Sequence, residues 1–523
     1  MKISAKNNLH INSSQFSQGD IFVVPVFKSN IKGAKGGMLP GADETSLKYL
    51  KKYEHELNGA ITREVKRTDY KVLAGKRLNV PAGKCSLRIS GLSHQALSLT
   101  GPSLDEWRRL GGDALRQALS LKSEHLVIDL SQVKGSISSQ ILQAIAEGLA
   151  LGAYEFNQYR KATDKTKASL QVIIFGLNLS PAESRKVLDS ARAISEATCF
   201  ARDLVNLGPS DLVPADLVTH AKKIARASKG RVKVKIYDRR GLERLGAGGI
   251  LGVGKGSDYP PYLIHLHYKG KTSAKKTKKK TIALVGKGVT FDSGGYSIKP
   301  AKSMEDMKCD MSGAAAVLGT MSYLTSLSGK EVLEHDVHVI VPTVENMLNG
   351  KSVKPGDVLK ALNGKTMEVL NTDAEGRLIL ADALAYSERL KPDVVIDLAT
   401  LTGACIVALG SDITGLFSTD EKLAHTLKDL GAKSGELFWE LPIASDQYRG
   451  NISSLIADIK NTGDGGPGAI IGALFLKEFV PPDVDWAHLD IAGPAFVTKE
   501  SDYIKKGGTG FGVRTLIAYL HSL

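Results

Sequence analysis

The chain has 523 residues, of which 42% are hydrophobic and 24% are charged, and its formal net charge is +14. This balance predicts a soluble globular protein of about two to four domains with well-buried cores, and it excludes a small fold that depends on disulfides. The four cysteines form no CxxC pair, which argues against a disulfide framework or a thiolate zinc site and fits a reducing compartment.

The N-terminal third alternates strand-like and helical segments. Apolar runs of strand length occur in "DIFVVPVF", "HLVIDL" and "LQVIIFGL", and residues 140–160 repeat apolar side chains every three or four positions, as an amphipathic helix does. We therefore predict a smaller N-terminal α/β domain over residues 1–180. Residues 1–20 contain no apolar segment of the signal-peptide type, and the apolar runs are too short to cross a bilayer. We expect a cytoplasmic protein with no export signal and no membrane span.

A long amphipathic helix follows. Ser180 suits the cap and Pro181 the first turn, and the pattern ends near Gly208, so we predict a linking helix over residues 181–207. In residues 208–523, apolar strands such as "TIALVG", "DVHVIVP" and "DVVIDLAT" alternate with helical segments. This alternation predicts a larger α/β domain with a mainly parallel sheet covered on both faces, where ligands bind at the carboxyl ends of the strands.

Half of the net charge lies in one short segment. Seven lysines fall between Lys269 and Thr281, in "KGKTSAKKTKKKT". Such runs usually form solvated loops, so we interpret the segment as an exposed insertion between two strands. A contact with RNA, with another anion or with a targeting factor stays open as the alternative.

The first acidic cluster lies in "VGKGVTFDSGGYSIKPAKSMEDMKCDMSGAAAV". A buried strand runs into Lys287, and Asp292, Lys299 and Asp310 follow among small residues. The two glycines after Asp292 would let the backbone turn tightly. Taken alone, an aspartate before Ser-Gly-Gly is typical of a turn, so a functional role depends on the rest of the pattern.

A second cluster, "NTDAEGRL", sets Asp373, Glu375 and Arg377 at alternate positions. We interpret the stretch as extended chain, in which alternate side chains point to one face. Together with Asp292 and Asp310, four carboxylates would then share one pocket. Four buried anions need compensating charge, and two divalent cations roughly 3.5–4 Å apart would supply it.

These segments, together with "IDLATLTGA", resemble the leucine aminopeptidase (cytosol aminopeptidase) family. The likeness runs from about "GLALGAYEFNQYR" to "GTGFGVRTLIAYL", roughly two thirds of the chain. Two positions depart from the family pattern: Tyr296 stands where an aliphatic residue is expected, and Ser312 stands where glycine is expected. Both lie beside the expected ligands, so they bear on the shape of the pocket.

The resemblance implies a metalloaminopeptidase with two divalent ions in each subunit. Asp292 and Glu375 would bridge the ions, Asp373 would complete one site, and Lys287 and Asp310 would complete the other. A lysine ligates only as a neutral amine, so its pKa would have to fall; a salt bridge to one of the aspartates is the alternative. The oxygen-rich ligand set suits zinc or manganese, with magnesium or cobalt as substitutes.

The resemblance also implies the roles of the residues around the metals. Lys299 would stabilise the tetrahedral oxyanion, and Arg377 would hold a bicarbonate ion that relays the proton, since a guanidinium cannot act as the base. Substrates would be peptides with a free N-terminus, preferably leucine, processed by a homohexamer built as a dimer of trimers. The residues implied for substrate binding are Met307, Thr400 and Ala492 in an apolar pocket, and Leu401 and Gly403 through their backbone.

Three further motifs have simpler interpretations. Residues 249–256, "GILGVGKG", match phosphate-loop spacing but end in Gly256 where serine or threonine is needed, so we predict a glycine-rich turn before a strand. Residues 464–476 lack GxGxxG and predict a tightly packed helix start. We interpret His488 and Asp490 as a buried core pair, with metal ligation as the alternative.

The competing hypothesis is a basic nucleic-acid-binding or regulatory protein, with or without peptidase activity. It would require the lysine-rich segment to face outward and to give a salt-dependent affinity. The five expected metal ligands are all present, together with Lys299 and Arg377, which favours a working enzyme.

Overall fold

A computed structural model describes residues 2–6, 20–27, 42–56, 60–72, 76–82, 85–92, 103–131, 133, 138–160, 170–271 and 279–523. The chain divides into two compact units. The first comprises Met1–Ser195 with Glu500–Lys505, and the second comprises Glu196–Lys499 with Lys506–Leu523.

The first unit is built on a six-stranded sheet of order β1-β6-β5-β2-β4-β3. All neighbours pair in parallel except β3, which runs antiparallel to β4. The strands are β1 (Lys2–Lys6), β2 (Ile21–Phe27), β3 (Arg77–Ala82), β4 (Cys85–Leu92), β5 (His125–Asp129) and β6 (Gln171–Phe175). The helices are α1 (Glu44–Glu56), α2 (Ala60–Thr68), α3 (Leu104–Ser120) and α4 (Ser138–Gly152).

Helices cover both faces of this sheet. Ile21 and Val23 of β2 point into a core that includes Trp107 of α3, whereas the alternate residues point into a second core that includes Leu50 of α1. Opposite faces for successive residues are what a strand requires, and apolar residues on both faces mark a strand covered on both sides. The predicted small α/β fold is confirmed.

The predicted linking helix is observed as α5 (Pro181–Asn206). Ser180 caps it reciprocally with Glu183: the Ser180 hydroxyl oxygen accepts from Glu183 N at 3.2 Å, and Ser180 N donates to Glu183 Oε2 at 2.8 Å. This capping box satisfies two backbone groups that would otherwise lack partners at the helix start. The boundary between the two compact units falls within α5, after Ser195.

The second unit is built on a nine-stranded sheet, whose main path is β16-β15-β18-β14-β9-β11-β8-β7, with β10 paired to β11. Strands β18, β14, β9 and β11 form a parallel centre, and β10 runs parallel to β11. The strands of this sheet are β7 (Val232–Tyr237), β8 (Tyr262–Tyr268), β9 (Thr281–Gly286), β10 (Gly288–Asp292), β11 (Asp336–Asn346), β14 (Val394–Ala399), β15 (Ile413–Ser418), β16 (Leu437–Glu440) and β18 (Asp485–Asp490).

Two smaller sheets complete this unit. Their strands are β12 (Val358–Lys360), β13 (Thr366–Glu368) and β17 (Ile459–Lys460) in one, and β19 (Phe496–Val497) and β20 (Gly507–Gly508) in the other. The helices are α6 (Pro214–Ala227), α7 (Arg239–Leu245), α8 (Gly248–Val253), α9 (Ala301–Met304), α10 (Ser312–Ser326), α11 (Glu375–Ser387), α12 (Gly403–Leu409), α13 (Glu421–Ser434), α14 (Ser445–Tyr448), α15 (Gly468–Lys477) and α16 (Val513–Ser522).

Both faces of the large sheet are covered as well. Ala283 and Val285 of β9 pack in one core with residues of α11 and α15. The alternate residues of β9 point to the opposite face, and α10 contacts β9 and β14. Strand β14 is buried along its whole length, as expected for the centre of a parallel sheet. The predicted mainly parallel central sheet is confirmed.

The prediction of a simple turn at "GILGVGKG" is wrong. The segment forms helix α8 followed by a short 3-10 turn, Gly254–Gly256, before β8. Its glycines serve close packing: a Cβ added to Gly249 would lie 2.1 Å from Leu378 O of α11. The buried carboxylate of Asp382 in α11 accepts a hydrogen bond from Ile250 N at 2.8 Å, which satisfies the first turn of α8. The helix start predicted near residues 464–476 is confirmed as α15.

The lysine-rich segment lies between β8 and β9, as predicted, but its residues 272–278 lie outside the described part of the chain. At its described end, Lys279 Nζ lies 2.7 Å from Asp336 Oδ1. The exposure of the segment and its partner stay predictions. Among the described helices, none has the length and apolarity that crossing a bilayer requires.

Three histidines cluster on β8 and β11. His265 Nε2 lies 2.9 Å from His338 Nδ1, and the Tyr386 hydroxyl lies 3.1 Å from His265 Nδ1. The ring of His267 stacks on His338 with centroids 4.2 Å apart. Burial lowers the pKa of His265 to about 4, and His267 and Lys235 lower it further. Burial, with His267 and His265, lowers the pKa of His338 to about 3.

This cluster predicts that the protein loses stability in mild acid. Unfolded histidines take up protons below pH 6.5, whereas the folded cluster stays neutral, so the free energy of unfolding should fall as pH decreases from about 6.5 to about 4. Urea unfolding across this pH range measures the slope. The double variant His265→Gln/His338→Gln should flatten it, whereas His425→Gln, at a histidine whose side chain is 75% exposed, should leave it unchanged. Equal slopes in all three proteins would contradict the assignment.

Candidate active site

The carboxyl ends of five parallel strands bring the predicted site residues together. Such strands end at one edge of the sheet, which is where α/β proteins bind ligands. Lys287 directly follows β9, Thr400 follows β14, and Ala492 lies two residues beyond β18. The other two strands end in residues of the site itself, namely Asp292 in β10 and Asn346 in β11.

Two hydrogen bonds fix the backbone of Lys287, and its side chain points into the site. Lys287 N donates to Leu398 O at 3.0 Å, and Lys287 O accepts from Ala314 N at 2.8 Å, which ties the residue to β14 and to the start of α10. A Cβ added to Gly376 would lie 2.3 Å from Lys287 Cε. The glycine of "NTDAEGRL" therefore leaves the room through which the lysine side chain passes.

A tight turn carries Asp292 and Lys299 back toward each other. Gly294 and Gly295 adopt positive φ angles of 86° and 62°, which glycine tolerates without strain. Gly294 N donates to Asp292 Oδ1 at 2.9 Å, and Lys299 N donates to Ser293 O at 3.0 Å. The turn predicted at Ser-Gly-Gly is present, and it places Lys299 Nζ 2.8 Å from Asp292 Oδ2.

The interpretation of "NTDAEGRL" as extended chain is wrong. Asp373 lies in a turn, Glu375 is the first residue of α11, and Arg377 lies in the first turn of that helix. A carboxylate at a helix N-terminus is favoured by the helix dipole, and the apolar residues that follow bury the helix on all sides. The side chains of Asp373 and Glu375 still reach the site from these positions.

Three buried carboxylates form the centre of the site. Asp292, Asp310 and Glu375 each offer one ligand atom, and these atoms all lie within 4.8 Å of one another. Lys287 Nζ lies 2.7 Å from Asp310 Oδ1 and 2.9 Å from Glu375 Oε1. Asp310 Oδ2 and Glu375 Oε2 are buried and have no hydrogen-bond partner among the described residues. Unsatisfied buried anionic oxygens are costly, which points to a cation as their partner.

The electrostatics of these carboxylates agree with that conclusion. Burial raises the pKa of Asp310 well above its usual value, and Glu375 and Asp292 raise it further against the opposing effect of Lys287. Burial and Glu375 also raise the pKa of Asp292, while Lys299 and Lys287 lower it. Without bound cations, the protein therefore disfavours full ionisation of these carboxylates. Added positive charge would make the ionised forms more favourable.

Lys287 and Lys299 are the cations beside this cluster. Burial opposes the charge of Lys287, but Asp310 and Glu375 raise its pKa above the usual value. Burial likewise opposes the charge of Lys299, and Asp292 raises its pKa. Lys299 Nζ also lies 2.6 Å from Asp373 Oδ1, so it joins the half-buried Asp373 to the buried Asp292. In the structure Lys287 makes the salt bridge that the sequence analysis kept as the alternative to ligation.

Arg377 is buried, as the three carboxylates are. Its Nη1 donates to Asn461 O at 2.9 Å, and its buried Nε has no hydrogen-bond partner among the described residues. Burial lowers the pKa of Arg377, while Glu375 raises it. A Cβ added to Gly472 of α15 would lie 3.6 Å from Arg377 Nη2, an ordinary contact distance, so α15 packs against the guanidinium.

Among the predicted substrate residues, Thr400 contacts this centre directly. The Thr400 hydroxyl donates to Asp310 Oδ1 at 2.7 Å, and Thr400 O accepts from Lys287 Nζ at 2.9 Å. Gly403 begins α12 on the exposed surface, where an added Cβ would meet no described atom within 4 Å. Met307 is half-buried in the 3-10 turn Met307–Met311 that also carries Asp310.

The Asp490 carboxylate fixes the backbone of two predicted substrate residues instead of pairing with His488. Its Oδ1 accepts from Leu401 N at 3.1 Å and from Ala492 N at 3.3 Å. His488 instead pairs with Asp397, with Nδ1 2.6 Å from Oδ1, because β18 and β14 set these two residues directly opposite each other. His488 is therefore a core residue, as interpreted, but Asp490 is not its hydrogen-bonding partner.

The two departures from the family pattern are accommodated locally. Tyr296 is 42% exposed, and its hydroxyl donates to Asn349 O at 3.3 Å. Ser312 is buried at the start of α10, and its hydroxyl donates to Cys309 O at 2.6 Å, which braces the turn that carries Asp310.

Sequence reasoning missed two buried asparagines of the site. Asn346 ends β11 and contacts Asp292, and the strand-end rule that selected Asp292 would have selected it too. Asn461 follows β17, a strand of two residues, and contacts Arg377 through its carbonyl. So short a strand leaves no apolar run in the sequence, so no comparable signal marks Asn461.

Comparisons with known proteins agree with this geometry. The family model described as the catalytic domain of the cytosol aminopeptidase family matches residues 199–517, and the model of its N-terminal domain matches residues 100–163. A probable cytosol aminopeptidase of Aquifex aeolicus (strain VF5) is 39% identical over 501 residues, which cover 95% of this chain and 98% of that protein. One from Synechococcus sp. (strain JA-2-3B'a(2-13)) is 38% identical and covers 98% of both chains.

Solved structures show the same fold. A mutant of tomato leucine aminopeptidase aligns with a TM-score of 0.84 and 35% identity, covering 100% of this chain and 97% of its own. The bottromycin maturation enzyme BotP in complex with Mn aligns with a TM-score of 0.77 and 32% identity, covering 96% and 99%. With its oxygen-rich cluster and both family domains, this chain belongs to the cytosol aminopeptidase family and is a metal-dependent aminopeptidase.

Proposed function

We propose that the protein removes the N-terminal residue, preferably leucine, from peptides and uses two divalent metal ions. The ligands would be Lys287, Asp292, Asp310, Asp373 and Glu375. The observation that carries this proposal is the pair of buried oxygens, Asp310 Oδ2 and Glu375 Oε2, that lack hydrogen-bond partners within the described acidic cluster. Bound divalent ions would lower the pKa of a water molecule and polarise the scissile carbonyl group.

Lys287 would change its protonation state when metal binds. The carboxylates of Asp310 and Glu375 now raise its pKa, and an ammonium group has no lone pair to offer a metal. If cations neutralise those carboxylates, burial becomes the dominant effect on Lys287 and favours the neutral amine. Metal binding should then release a proton from the protein.

Lys299 and Arg377 would serve the reaction without binding metal. Lys299 lies at the rim between Asp292 and Asp373, and its charge would stabilise the oxyanion that develops during attack on the peptide. Arg377 would hold bicarbonate as the proton relay. Its planar, permanently charged group suits a carbonate ion, and its Nε has no described partner that would compete.

The substrate pocket would use residues around the strand ends. Met307, Thr400 and Ala492 would line the apolar pocket for the first side chain, and backbone groups of Leu401 and Gly403 would hold the peptide. Leu401 N and Ala492 N already donate to Asp490, so the backbone group of Leu401 that holds the peptide would be its carbonyl oxygen. The free α-amine of the substrate must be neutral to bind metal, so activity should rise toward alkaline pH.

Metal identity, assembly and location form the finer part of the proposal. The ligand set would accept zinc or manganese, with magnesium or cobalt as substitutes, and the subunits would assemble as a homohexamer, a dimer of trimers. A cytoplasmic location is supported by Cys199, Cys309 and Cys405, which are all free thiols. Nucleic-acid binding through the lysine-rich segment stays untested, and the family membership favours the peptidase.

Metal removal tests the proposed function directly. Treatment with a chelator should abolish hydrolysis of a leucyl amide, and manganese, zinc or cobalt should restore it, with two ions bound per subunit by titration. An N-acetylated leucyl amide should not be hydrolysed, because its amine is blocked. Activity that survives chelation, or equal turnover of the acetylated and free substrates, would contradict the proposal.

A further inference from the structure

Two buried asparagines hold the loop before α11, which carries the proposed ligand Asp373 and leads into Glu375. Asn346 is 2% exposed and Asn461 is 0% exposed. Asn346 ends β11, Asn461 directly follows β17, and both contact residues 370–377. Asn346 contacts Thr372, and Asn461 contacts residues on either side of it.

Asn346 joins the two acidic segments of the site. Its Nδ2 donates to Asp292 Oδ1 at 2.8 Å and to Thr372 O at 3.0 Å. Both amide hydrogens are used on acceptors, so neither a carboxylate nor an apolar side chain of similar size could replace them. Asp292 and Asn346 are also directly paired in the register of β10 and β11. Asn346 therefore fixes the orientation of the Asp292 carboxylate relative to the loop.

Asn461 holds the loop from another direction and contacts Arg377. Its Oδ1 accepts from Leu370 N at 2.9 Å, and its Nδ2 donates to Asn371 O at 2.7 Å and to Ala374 O at 3.4 Å. Its backbone oxygen accepts from Arg377 Nη1 at 2.9 Å. The same residue thus fixes the loop before α11 and the guanidinium in the first turn of α11.

We infer that Asn346 and Asn461 are positioning residues. Asn346 joins the Asp292 carboxylate to the loop before α11. The Asn461 side chain holds the same loop and thereby anchors its own backbone oxygen, which accepts from Arg377. This inference rests on the proposed two-metal function. Groups that orient metal ligands typically change metal affinity about 10- to 100-fold when they are removed. Loss of the Asn461 side chain should in addition lower turnover at saturating metal, because the backbone oxygen that holds Arg377 loses its anchor.

The experiment compares Asn346→Leu and Asn461→Leu by manganese titration and by steady-state kinetics. Asn346→Leu should weaken manganese binding about 10- to 100-fold, with kcat at saturating manganese within about threefold of wild type. Asn461→Leu should weaken manganese binding to a similar extent and, unlike Asn346→Leu, should also lower kcat at saturating manganese about tenfold or more. In an Arg377→Met background, Asn461→Leu should cause little further loss of kcat, because the two residues act as one unit.

Matched controls separate positioning from general destabilisation. Thr343→Val alters a buried residue of β11, and Asp458→Ala removes the acceptor of Thr366 N at 2.7 Å beside β17; neither touches the loop. Both controls should keep wild-type metal affinity and kcat. Asn346→Ser and Asn461→Ser remove the same side-chain hydrogen bonds without apolar bulk, so they serve if a leucine variant fails to fold.

Two failures are distinguishable. If the wild type binds no manganese and does not hydrolyse a leucyl amide, the proposed function is wrong and this inference is lost with it. If the wild type is active but the asparagine variants match the controls in metal affinity and kcat, only the positioning roles are wrong. Additive losses in the Arg377→Met background would overturn the role of Asn461.

Discussion

Glu375→Gln is expected to lower kcat/KM for a leucyl amide by about 10³-fold or more while the fold stays intact. Glu375 Oε1 lies 2.9 Å from Lys287 Nζ, and Oε2 is buried without a described partner. Glutamine has nearly the same shape, but its neutral amide removes one of the negative charges that would hold the metals. A loss of about 10³-fold corresponds to about 4 kcal/mol of transition-state stabilisation.

The measurement combines kinetics, metal titration and thermal unfolding. The Gln variant should bind manganese weakly, and its midpoint of unfolding without metal should stay close to that of wild type. Glu388→Gln is the matched control, because Glu388 lies exposed at the C-terminal end of the same helix and far along it from the cluster. Wild-type turnover by Glu375→Gln would remove Glu375 from the site.

Lys299→Met should lower kcat by about 10²- to 10³-fold, with manganese affinity nearly unchanged. Burial opposes the charge of Lys299, but Asp292 raises its pKa. Its side chain is 14% exposed, against 4% for Lys287, so water should keep it charged when metals neutralise Asp292. The charge is then available to the developing oxyanion at every assay pH. The alkaline rise in activity should consequently persist in the variant, since it would come from the substrate amine.

The control for this variant is Lys302→Met. Lys302 lies three residues further along, is exposed and pairs with Glu305 at 2.9 Å, so its loss should leave kcat unchanged. Lys299→Arg should recover part of the activity, because it restores the charge with a different shape. A Lys299→Met variant with normal kcat but weak manganese binding would show that Lys299 supports the metals instead.

The placement of the site was predictable because it depends on a rule of topology. Lys287, Asp292 and Thr400 each end or follow an apolar strand, and parallel strands bring such positions to one edge. The conformation of "NTDAEGRL" was not predictable from its alternating charges. Helix α11 is buried on all sides, so it lacks the polar face that would mark a helix in the sequence.

Contacts between residues far apart in the chain could not be predicted from the sequence, for a different reason. The pairing of His488 with Asp397 depends on the register of β18 against β14, which a single sequence does not fix. Asn461 contacts Asn371 and Arg377 across 84 to 90 residues of chain. Local patterns report helices, strands and turns, but they carry no information about which distant amide will satisfy a given loop.

The contrast between Gly376 and Gly403 bears on how this enzyme could be diversified. At Gly376 a single methyl group would collide with Lys287, whereas at Gly403 added atoms would meet no described neighbour within 4 Å. Under the proposed role of Gly403 in holding the peptide, substitutions at the start of α12 would have room for new substrate contacts. Directed evolution toward other N-terminal residues could therefore include position 403, whereas position 376 is best left out of any library.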